Sequence, residues 1–307
     1  MTMISENPNW HKFDASKLSD YCACPRMFFF RHILGWSPPR SPHLDFGTAW
    51  HEAMEQLLLG GYGQDNQIQA FRRFAQSFAG CEGTDKKNPQ SALEAITEYC
   101  QHYATDKFEV LYTEILFSIP IDADRNLIGR SDAIIRGPNG IYCLEHKTGS
   151  NFNHQWQIQW PLSIQVLAYT HMLHCVFEPK DIFGIILNGV FFKSKSTRDY
   201  NRLPIAANID RQSQWLFNVN RYIDQIERDL ETVLKTDPEA NVLEAFPQSP
   251  NSCSAYFGCP YHSYCSTWSN PIGRACPPDM TVEFWDPSDY AEAKATVSGT
   301  NISKKEN

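Results

Sequence analysis

The chain has 307 residues, of which 42% are hydrophobic and 20% charged, and its formal net charge is −8. This length suits one large domain or two small ones, and the negative charge argues against a broad nucleic-acid-binding surface, although it allows a local basic groove. Because the sequence has neither a long apolar run nor a basic segment followed by an apolar leader, we expect no membrane span and a cytoplasmic location.

The first part of the chain predicts helices, one of which carries a candidate metal ligand. Phe46–Leu59 has apolar residues at helical spacing, and His51 lies early in that helix. A single histidine on a helix is more often structural than functional, so His51 is only a candidate on this pattern. The other elements predicted here are helices over residues 65–80 and 90–105 and an exposed loop over Gly83–Pro89.

Four β-strands are predicted, and two of them carry the most informative residues. The strands fall near residues 110–121, 127–135, 140–147 and 182–192. The second and third form a hairpin in which Asp132 could stand opposite Glu145, and Glu145 and Lys147 share one face because side chains alternate along a strand. Two close carboxylates repel unless a cation lies between them, and an adjacent ammonium can stabilise charge on a phosphate. A surface hairpin with a Glu–Lys pair is the simpler alternative.

The next part of the chain predicts a helix and a basic segment. Gln157–Leu173 is predicted to be helical with Pro161 in its first turn. Gln165 and Tyr169 are four residues apart and therefore share a face of that helix. Lys193–Arg198 is a small basic cluster that could contact phosphates or could equally be a solvated loop.

Ten cysteines occur along the chain, and three of them are regularly spaced near its C-terminal end. Cys253, Cys259 and Cys265 stand among Gly, Pro, Ser and Tyr residues, a setting that core packing does not explain. In a reducing cytosol such a cluster indicates a metal rather than disulfides. Three thiolates need a fourth ligand for a closed tetrahedral site or a cubane cluster, and the candidates are Cys22, Cys24 and Cys276.

Together, these patterns resemble the PD-(D/E)XK nuclease superfamily, specifically its RecB-like branch with a four-cysteine iron–sulfur cluster, which includes CRISPR-associated exonucleases and phage-encoded relatives. The resemblance covers residues 16–268, nearly the whole folded chain. The matching segments are Gly47–Glu55 (similar to the helical histidine motif), Gly129–Asp132 (Gly-x-x-Asp), Glu145–Lys147 (Glu-x-Lys) and Gln165–Tyr169 (Gln-x-x-x-Tyr).

The resemblance implies a role for each residue of these motifs. Mg²⁺ or Mn²⁺ would bind His51, Asp132, Glu145 and the backbone carbonyl of His146, and would polarise the scissile phosphate and acidify a bound water. Asp132, Glu145 and Lys147 would be catalytic, with Lys147 orienting the water or countering charge in the transition state. Gln165 and Tyr169 would position DNA near the site.

The cysteines also match the family pattern. Cys24 is followed by Pro25 and Arg26, as the first cluster cysteine of the family typically is. The resemblance therefore makes Cys24, Cys253, Cys259 and Cys265 the ligands of a [4Fe–4S] cluster that joins the two ends of the chain. The equal spacing of the last three departs from the Cys-x-x-Cys start of some members, so Zn²⁺ at the same four-cysteine site is a second hypothesis.

The fold implied by the resemblance is α/β with a restriction-endonuclease-like core: a mixed, twisted sheet flanked by helices, with a C-terminal cysteine-rich segment packed on the N-terminal helices. A single nuclease domain is expected over residues 1–285, including a long amphipathic helix over 210–236. Residues 286–307 are polar and are predicted to be a disordered tail.

The implied function is metal-dependent hydrolysis of DNA, with an exonuclease acting on single-stranded ends as the principal hypothesis. Trp156 and Trp160 could stack on unpaired bases. A helicase or recombination protein is a candidate partner, and the location would be the cytoplasm of a bacterium, or of a host for a phage-encoded protein. The alternative is a non-catalytic DNA-binding or assembly subunit of a helicase–nuclease or integration complex that retains the nuclease fold.

Overall fold

The structure is a computed structural model that describes residue 7 and residues 9–255, 258–288 and 295–304. The chain divides into two compact units, each described here by itself. The first comprises Met1–Pro39, Pro120–Gly129 and Ser213–Asp289, and the second comprises Arg40–Ile119, Arg130–Gln212 and Tyr290–Asn307. The expectation of one nuclease domain over residues 1–285 stays a prediction.

Most of the predicted helices are present with nearly the expected bounds. In chain order the helices are α1 (Ala15–Ala23), α2 (Pro25–Phe28), α3 (Pro42–Gly60), α4 (Gln64–Ser77), α5 (Pro89–His102), α6 (His154–Ile158), α7 (Ile164–Val176), α8 (Ile209–Lys235) and α9 (His262–Thr267). A π-helical turn, Phe29–Ile33, follows α2 directly. None of the helices in the described part of the chain is long and apolar enough to cross a membrane.

Helix α3 begins one turn earlier than its apolar pattern predicts. The hydroxyl of Ser41 accepts a hydrogen bond from the backbone N–H of His43 at 3.2 Å, and Pro42 fits the first turn, where no N–H is needed. The helix ends at Gly60 as expected, because Gly61 adopts a positive φ of 78°.

The helix predicted over Gln157–Leu173 is divided into α6 and α7. Pro161 lies in the connection between them rather than in the first turn of a helix. Helix α7 starts where the hydroxyl of Ser163 accepts a hydrogen bond from the N–H of Val166 at 3.2 Å. The side-chain cap, which the apolar periodicity does not reveal, therefore sets the start of α7.

A mixed β-sheet organises the second unit. In chain order the strands are β1 (Phe13–Asp14), β2 (Trp36–Ser37), β3 (Glu109–Pro120), β4 (Asn126–Gly137), β5 (Gly140–Gly149), β6 (Ile182–Phe192), β7 (Arg198–Ala206), β8 (Thr281–Val282), β9 (Ala295–Ser298) and β10 (Asn301–Lys304). The order across the sheet is β10-β9-β3-β4-β5-β6-β7. Strands β3–β9 and β5–β6 pair in parallel, whereas β4–β5, β6–β7 and β9–β10 are antiparallel. The prediction of an α/β fold with a mixed sheet flanked by helices is confirmed.

The hairpin expected from the sequence is formed by β4 and β5. Ala133 pairs with Leu144, and Gly137 pairs with Gly140 at the turn. Asp132 and Glu145 each lie one residue beyond the Ala133–Leu144 pair. The antiparallel register therefore brings the two carboxylates to the same level of the sheet.

Among the described residues, six strands have no counterpart in the prediction: the two-residue strands β1, β2 and β8, and the longer strands β7, β9 and β10. Strand β7 is mostly half-buried and contains Pro204, and it pairs with the edge of β6. Strands β9 and β10 lie within residues 286–307, for which the sequence predicts a disordered tail. Ala295 and Val297 of β9 are buried, and the strand pairs with β3. Of that predicted tail, residues 289–294 and 305–307 lie outside the described residues.

A buried aromatic core holds helix α3 against the sheet of the second unit. Phe46 and Trp50 of α3 pack with Phe192 of β6, with ring centres 5.1 and 6.0 Å apart. Phe74 of α4 and Tyr99 of α5 belong to the same buried cluster. Because Trp50 is fully buried, the neighbouring His51 is held in a fixed position.

In the first unit, the cysteine-rich segment packs against the N-terminal helices as expected. The ring of Phe30 stacks on Tyr261 with ring centres 5.4 Å apart, and the Tyr261 hydroxyl donates to the carbonyl of Trp36 at 2.6 Å. The guanidinium of Arg26, which is buried, donates to the carbonyl of Phe246 at 2.9 Å. Strand β1 pairs with the start of β4, and β2 pairs with β8.

Candidate functional site

The motif residues of the second unit meet at one end of the β4–β5 hairpin. They are contributed by α3 (His51), β4 (Asp132), β5 (Glu145, His146 and Lys147) and α7 (Gln165 and Tyr169). The alternation of side chains along β5 places Glu145 and Lys147 on one face, as the sequence predicts. The structure therefore brings together in space four motifs that are far apart in the sequence.

Asp132 is a buried carboxylate with both oxygens bound. Its Oδ1 accepts a hydrogen bond from Nδ1 of His51 at 2.8 Å, and its Oδ2 accepts one from the backbone N–H of His146 at 2.6 Å. Burial would raise the pKa of Asp132, but the imidazole of His51 and these hydrogen bonds outweigh burial and lower it. Asp132 is therefore an ionised acceptor at neutral pH.

The contact between His51 and Asp132 also changes the pKa of His51. Burial would lower the pKa of His51, but the charge of Asp132 and the hydrogen bond to it raise that pKa. Because Nδ1 donates its proton to the carboxylate, Nε2 is the ring nitrogen that carries a lone pair whenever the imidazole is neutral. An imidazole oriented in this way by a carboxylate is suited to bind a metal.

Glu145 is the least satisfied acid of the site. Its Oε1 lies 2.7 Å from Nζ of Lys147 and 3.0 Å from Nε2 of Gln165. Its Oε2 is buried and has no hydrogen-bond partner among the described residues. Burial raises the pKa of Glu145, and the negative charge of Asp132 raises it further. Oε2 of Glu145 is therefore a buried carboxylate oxygen without a donor among the described residues.

Gln165 joins the acid and the amine of the Glu-x-Lys motif. Its Oε1 accepts a hydrogen bond from Nζ of Lys147 at 3.0 Å, and its Nε2 donates to both Glu145 and the hydroxyl of Tyr169. The Tyr169 hydroxyl in turn donates to the carbonyl of Arg130 at 2.8 Å. In this structure Gln165 and Tyr169 thus fix the geometry of Glu145 and Lys147, whereas a direct contact of either residue with DNA stays a prediction.

Two residues that the sequence did not point to hold His146 in place. Nδ2 of Asn188 lies 2.8 Å from Nδ1 of His146, and Oδ1 of Asn188 accepts from Nε of Arg202 at 3.1 Å. Burial lowers the pKa of His146 to about 3, so the ring is neutral, and the amide N–H bonded to Nδ1 leaves the ring proton on Nε2. No sequence signal marks Asn188, which lies within an apolar strand. Ligation of a metal by the carbonyl of His146 stays a prediction.

The donor chemistry of the site suits a hard divalent cation, although the side chains are not arranged around one. Throughout the described residues, no three His, Cys, Asp or Glu side chains form a group that could hold a metal ion as they stand. The site nevertheless offers ionised Asp132, the imidazole of His51 and an oxygen of Glu145 with no protein partner. A cation bound there would offset the repulsion between the carboxylates.

The four cysteines expected to bind a cluster lie together in the first unit. All ten cysteines of the chain are free thiols. Burial raises the pKa values of Cys259 and Cys265, and the neighbouring thiols of Cys24 and Cys253 raise them further. Sγ of Cys24 accepts from the backbone N–H of Ser249 at 3.4 Å. N–H donors to sulfur are typical of iron–sulfur sites. The described cysteines form no group that could hold a metal ion as they stand, so a cluster at these four thiols stays a prediction.

The two alternative cysteines have other neighbours. The thiol of Cys22 is hydrogen-bonded to the hydroxyl of Tyr222. Sγ of Cys276 lies 3.7 Å from the carbonyl oxygens of both Pro277 and Met280. The assignment of Cys24 as the fourth ligand stays a prediction.

The basic cluster Lys193–Arg198 is engaged with acids of the protein itself. Arg198 pairs with Glu94 and Glu98 at 2.9 and 2.7 Å. Lys193 pairs with Asp199, and Lys195 lies 3.6 Å from Asp85. The structural role of this cluster is therefore better supported than contact with phosphates.

Comparisons with solved structures found 14 similar chains, among them two that are 12% identical to this chain. A candidate exonuclease from Eubacterium rectale is 12% identical, with a TM-score of 0.46 over 72% of this chain and 81% of that chain. The protein SSO0001 is also 12% identical, with a TM-score of 0.30 over 72% of this chain and 75% of that chain. A search of the curated proteins found no match.

The comparison with protein families gives a clear result. The sequence model of the PD-(D/E)XK nuclease superfamily matches residues 12–266, which include both the β4–β5 hairpin and the cysteine cluster. Nucleases of this superfamily generally use Mg²⁺ or Mn²⁺. With more than half of its length matched, this chain belongs to the PD-(D/E)XK nuclease superfamily.

Proposed function

We propose that this protein is a metal-dependent deoxyribonuclease that hydrolyses phosphodiesters as an exonuclease at single-stranded DNA ends. The observation that carries the proposal is the buried Oε2 of Glu145, which has no hydrogen-bond partner among the described residues and belongs to a carboxylate close to ionised Asp132. A carboxylate oxygen left without a donor in a buried site is costly unless a ligand satisfies it. A divalent cation would be such a ligand.

Each side chain has a role in this proposal. Asp132, Glu145 and His51, with the carbonyl of His146, would hold Mg²⁺ or Mn²⁺. The bound cation would supply Lewis-acid polarisation of the scissile phosphate. Lys147 would donate to a phosphate oxygen or orient the attacking water, because its ammonium is fixed beside Glu145 at 2.7 Å.

The segment between β5 and α7 supports a preference for unpaired DNA. Nζ of Lys147 lies 5.3 Å from the ring centre of Trp160, whose ring in turn lies 5.5 Å from that of Trp156. In the same segment Ile158 is 51% exposed and Leu162 is 74% exposed. Aromatic and apolar side chains beside the reacting groups can stack on bases that have left a duplex.

The cysteines support assignment to the RecB-like branch. We propose that Cys24, Cys253, Cys259 and Cys265 hold a [4Fe–4S] cluster with a structural role, since the thiols lie together and Sγ of Cys24 and of Cys265 each receive an N–H donor. Zinc at the same thiols is the alternative. Iron content and visible absorption distinguish the two.

The test of the proposal uses linear single-stranded DNA labelled at its 5′ or its 3′ end, with Mg²⁺ or Mn²⁺. Circular single-stranded DNA and blunt duplex serve as substrates that an exonuclease specific for single-stranded ends should spare. We expect metal-dependent loss of the linear strand only, with the order of label release giving the polarity. A Glu145→Gln variant should leave the linear strand intact.

Other results would redirect the proposal. Cleavage of the circular strand would show an endonuclease, and cleavage of blunt duplex would remove the single-strand preference. Binding of DNA by cluster-loaded protein without cleavage of any substrate in either metal would favour the non-catalytic subunit, for which a helicase or recombination protein would be the expected partner.

A further inference from the structure

Lys87 is a buried lysine in the connection between α4 and α5, where the sequence predicts an exposed loop. Only 7% of the residue is exposed. Its Nζ donates to the hydroxyl of Thr148 at 2.9 Å, one residue beyond Lys147 on β5. The same nitrogen lies 5.6 and 5.9 Å from the ring centres of Phe46 and Phe192. The side chain of Lys87 therefore contacts β5, the strand that carries the Glu-x-Lys motif.

The ammonium of Lys87 has no carboxylate partner. Among the described residues it forms no ion pair, whereas the neighbouring Arg130 lies 3.3 Å from Glu114 and Lys147 lies 2.7 Å from Glu145. Buried ammonium groups are normally paired with an acid because desolvation of an isolated charge is unfavourable. A hydroxyl and two aromatic rings only partly replace that acid, so Lys87 is suited to receive an anion.

Lys87 lines a cleft that adjoins the candidate active site. The cleft has a volume of about 410 Å³ and is lined by basic and small residues, among them His43, Gly47, His51, Lys87, Arg130 and Thr148. None of its described lining residues is Asp or Glu. His43, Gly47 and His51 are spaced four residues apart and so form one stripe along α3. Among the described residues, the cleft thus combines the unpaired ammonium of Lys87 with a lining that has no acid, a combination that suits a phosphate backbone.

Gly47 in this stripe is not explained by packing within the protein. It lies inside helix α3, where glycine is less favourable than alanine. A Cβ built on Gly47 would meet no heavy atom within 4 Å. The space above Gly47 is therefore open, and a residue without a side chain there keeps the cleft wide next to His51.

We propose that this cleft is the track of the substrate backbone next to the cleavage site, and that Lys87 binds the phosphate adjacent to the scissile phosphate while Gly47 leaves room for the strand. This inference rests on the proposed nuclease function, because it assigns Lys147 to the scissile phosphate and Lys87 to its neighbour. Lys87 is a binding residue in this account, and no proton transfer is assigned to it.

The test measures the affinity for a fluorescently labelled oligo(dT) strand by anisotropy over a range of salt concentrations. All proteins carry Glu145→Gln, so that the strand is not consumed. Lys87→Met keeps the aliphatic stem and removes the charge, Lys87→Arg keeps the charge, and Lys86→Met changes an exposed lysine of the same loop. We expect Lys87→Met to bind about ten-fold more weakly, with the slope of log affinity against log salt reduced by about 0.7.

The controls separate a phosphate contact from general charge. Lys86→Met should bind as its parent does, and Lys87→Arg should recover most of the lost affinity. Wild-type affinity and an unchanged salt slope in folded Lys87→Met protein would overturn the proposal. Equal losses in Lys86→Met and Lys87→Met would also overturn it, because they would show a diffuse electrostatic effect.

If Lys87→Met does not fold, a second variant tests whether the strand passes through the cleft. Gly47→Leu keeps every charge and extends a side chain into open space, so the protein should fold and bind the strand at least ten-fold more weakly. Unchanged affinity of Gly47→Leu would contradict the track. Because the binding assay uses Glu145→Gln proteins, cleavage is measured separately in proteins that retain Glu145. Binding through Lys87 without cleavage by the Glu145-containing parent would refute the nuclease function, whereas an active nuclease whose strand binding neither substitution changes would refute only the track.

Discussion

Nζ of Lys147 lies 2.7 Å from Oε1 of Glu145, and both groups are held by the side-chain amide of Gln165. The other oxygen of Glu145 has no hydrogen-bond partner in the described part of the chain. One oxygen of this carboxylate therefore contacts an ammonium, and the other has no donor among the described residues. This arrangement can neutralise a metal ion and a phosphate at the same time, as phosphodiester hydrolysis requires.

Replacement of Lys147 by Met should remove a donor that acts in the transition state. We expect Lys147→Met to lower the single-turnover cleavage rate by about 10²–10³-fold, because that is the typical effect of losing one such donor. Rates are measured with saturating protein on labelled single-stranded DNA, beside Lys180→Met as an exposed-lysine control. A cleavage rate within two-fold of wild type would remove Lys147 from the mechanism.

Gln165 should act by positioning rather than by contact with the reacting atoms. Gln165→Met removes the hydrogen bonds to Lys147, Glu145 and Tyr169, and we expect kcat to fall about ten-fold with KM nearly unchanged. Tyr169→Phe removes the hydrogen bond to the Arg130 carbonyl and should lower the free energy of unfolding by about 1 kcal/mol in urea. A rise in KM at constant kcat for Gln165→Met would instead indicate direct binding of DNA by Gln165.

The four-cysteine hypothesis predicts different results for cysteines of the same chain. Cys259→Ser should yield colourless protein without iron and with reduced solubility. Cys276→Ser, which changes a cysteine outside the proposed ligand set, should retain the visible absorption and iron content of the parent. Anaerobic purification followed by metal analysis gives the answer. Zinc in place of iron in the parent would support the second hypothesis, and loss of metal from Cys276→Ser would show that the fourth ligand was misassigned.

Binding of single-stranded DNA should depend on pH through Lys87. Burial lowers the pKa of Lys87 from 10.5 to about 8, so the side chain is charged below pH 8 and neutral above it. Burial and the positive charge of Lys87 both lower the pKa of His43, so the imidazole of His43 is neutral throughout this range. In the Glu145→Gln background we therefore expect affinity to fall as pH rises from 7 to 9. Lys87→Arg should show no such fall, because arginine stays protonated. A fall of the same size in Lys87→Arg would assign the titration to another group.

Sequence patterns were sufficient to predict the hairpin and the placement of its acids. Alternation along β5 fixes which residues share a face with Glu145, and the Gly137–Gly140 turn fixes the register that brings Asp132 level with it. The four-residue spacing of Gln165 and Tyr169 likewise predicts a shared helix face, and the structure shows them hydrogen-bonded to each other at 2.8 Å. These are local relationships, which the periodicity of a single element determines.

The surroundings of the site depended on contacts between distant segments and could not be predicted in this way. Lys87 belongs to a polar loop that has every local sign of exposure, and its burial depends on Phe46, Phe192 and Thr148 from three other elements. Arg202 lies on β7, a strand with little apolar alternation that is stabilised by pairing with β6. Short strands such as β9 also cannot be predicted from the sequence, because four residues are too few to show an alternation of apolar and polar residues.

The most direct test of the account is the rate of single-stranded DNA hydrolysis in Mg²⁺ or Mn²⁺ by wild-type protein and by Glu145→Gln. Glu178→Gln, an exposed acid changed in the same way and purified in parallel, controls for contaminating nucleases. We predict hydrolysis by the wild type and by Glu178→Gln that a chelator abolishes, and a rate for Glu145→Gln at least about 10²-fold lower. Equal hydrolysis by all three proteins, or none by any of them in either metal, would contradict the assignment of this site as a nuclease centre.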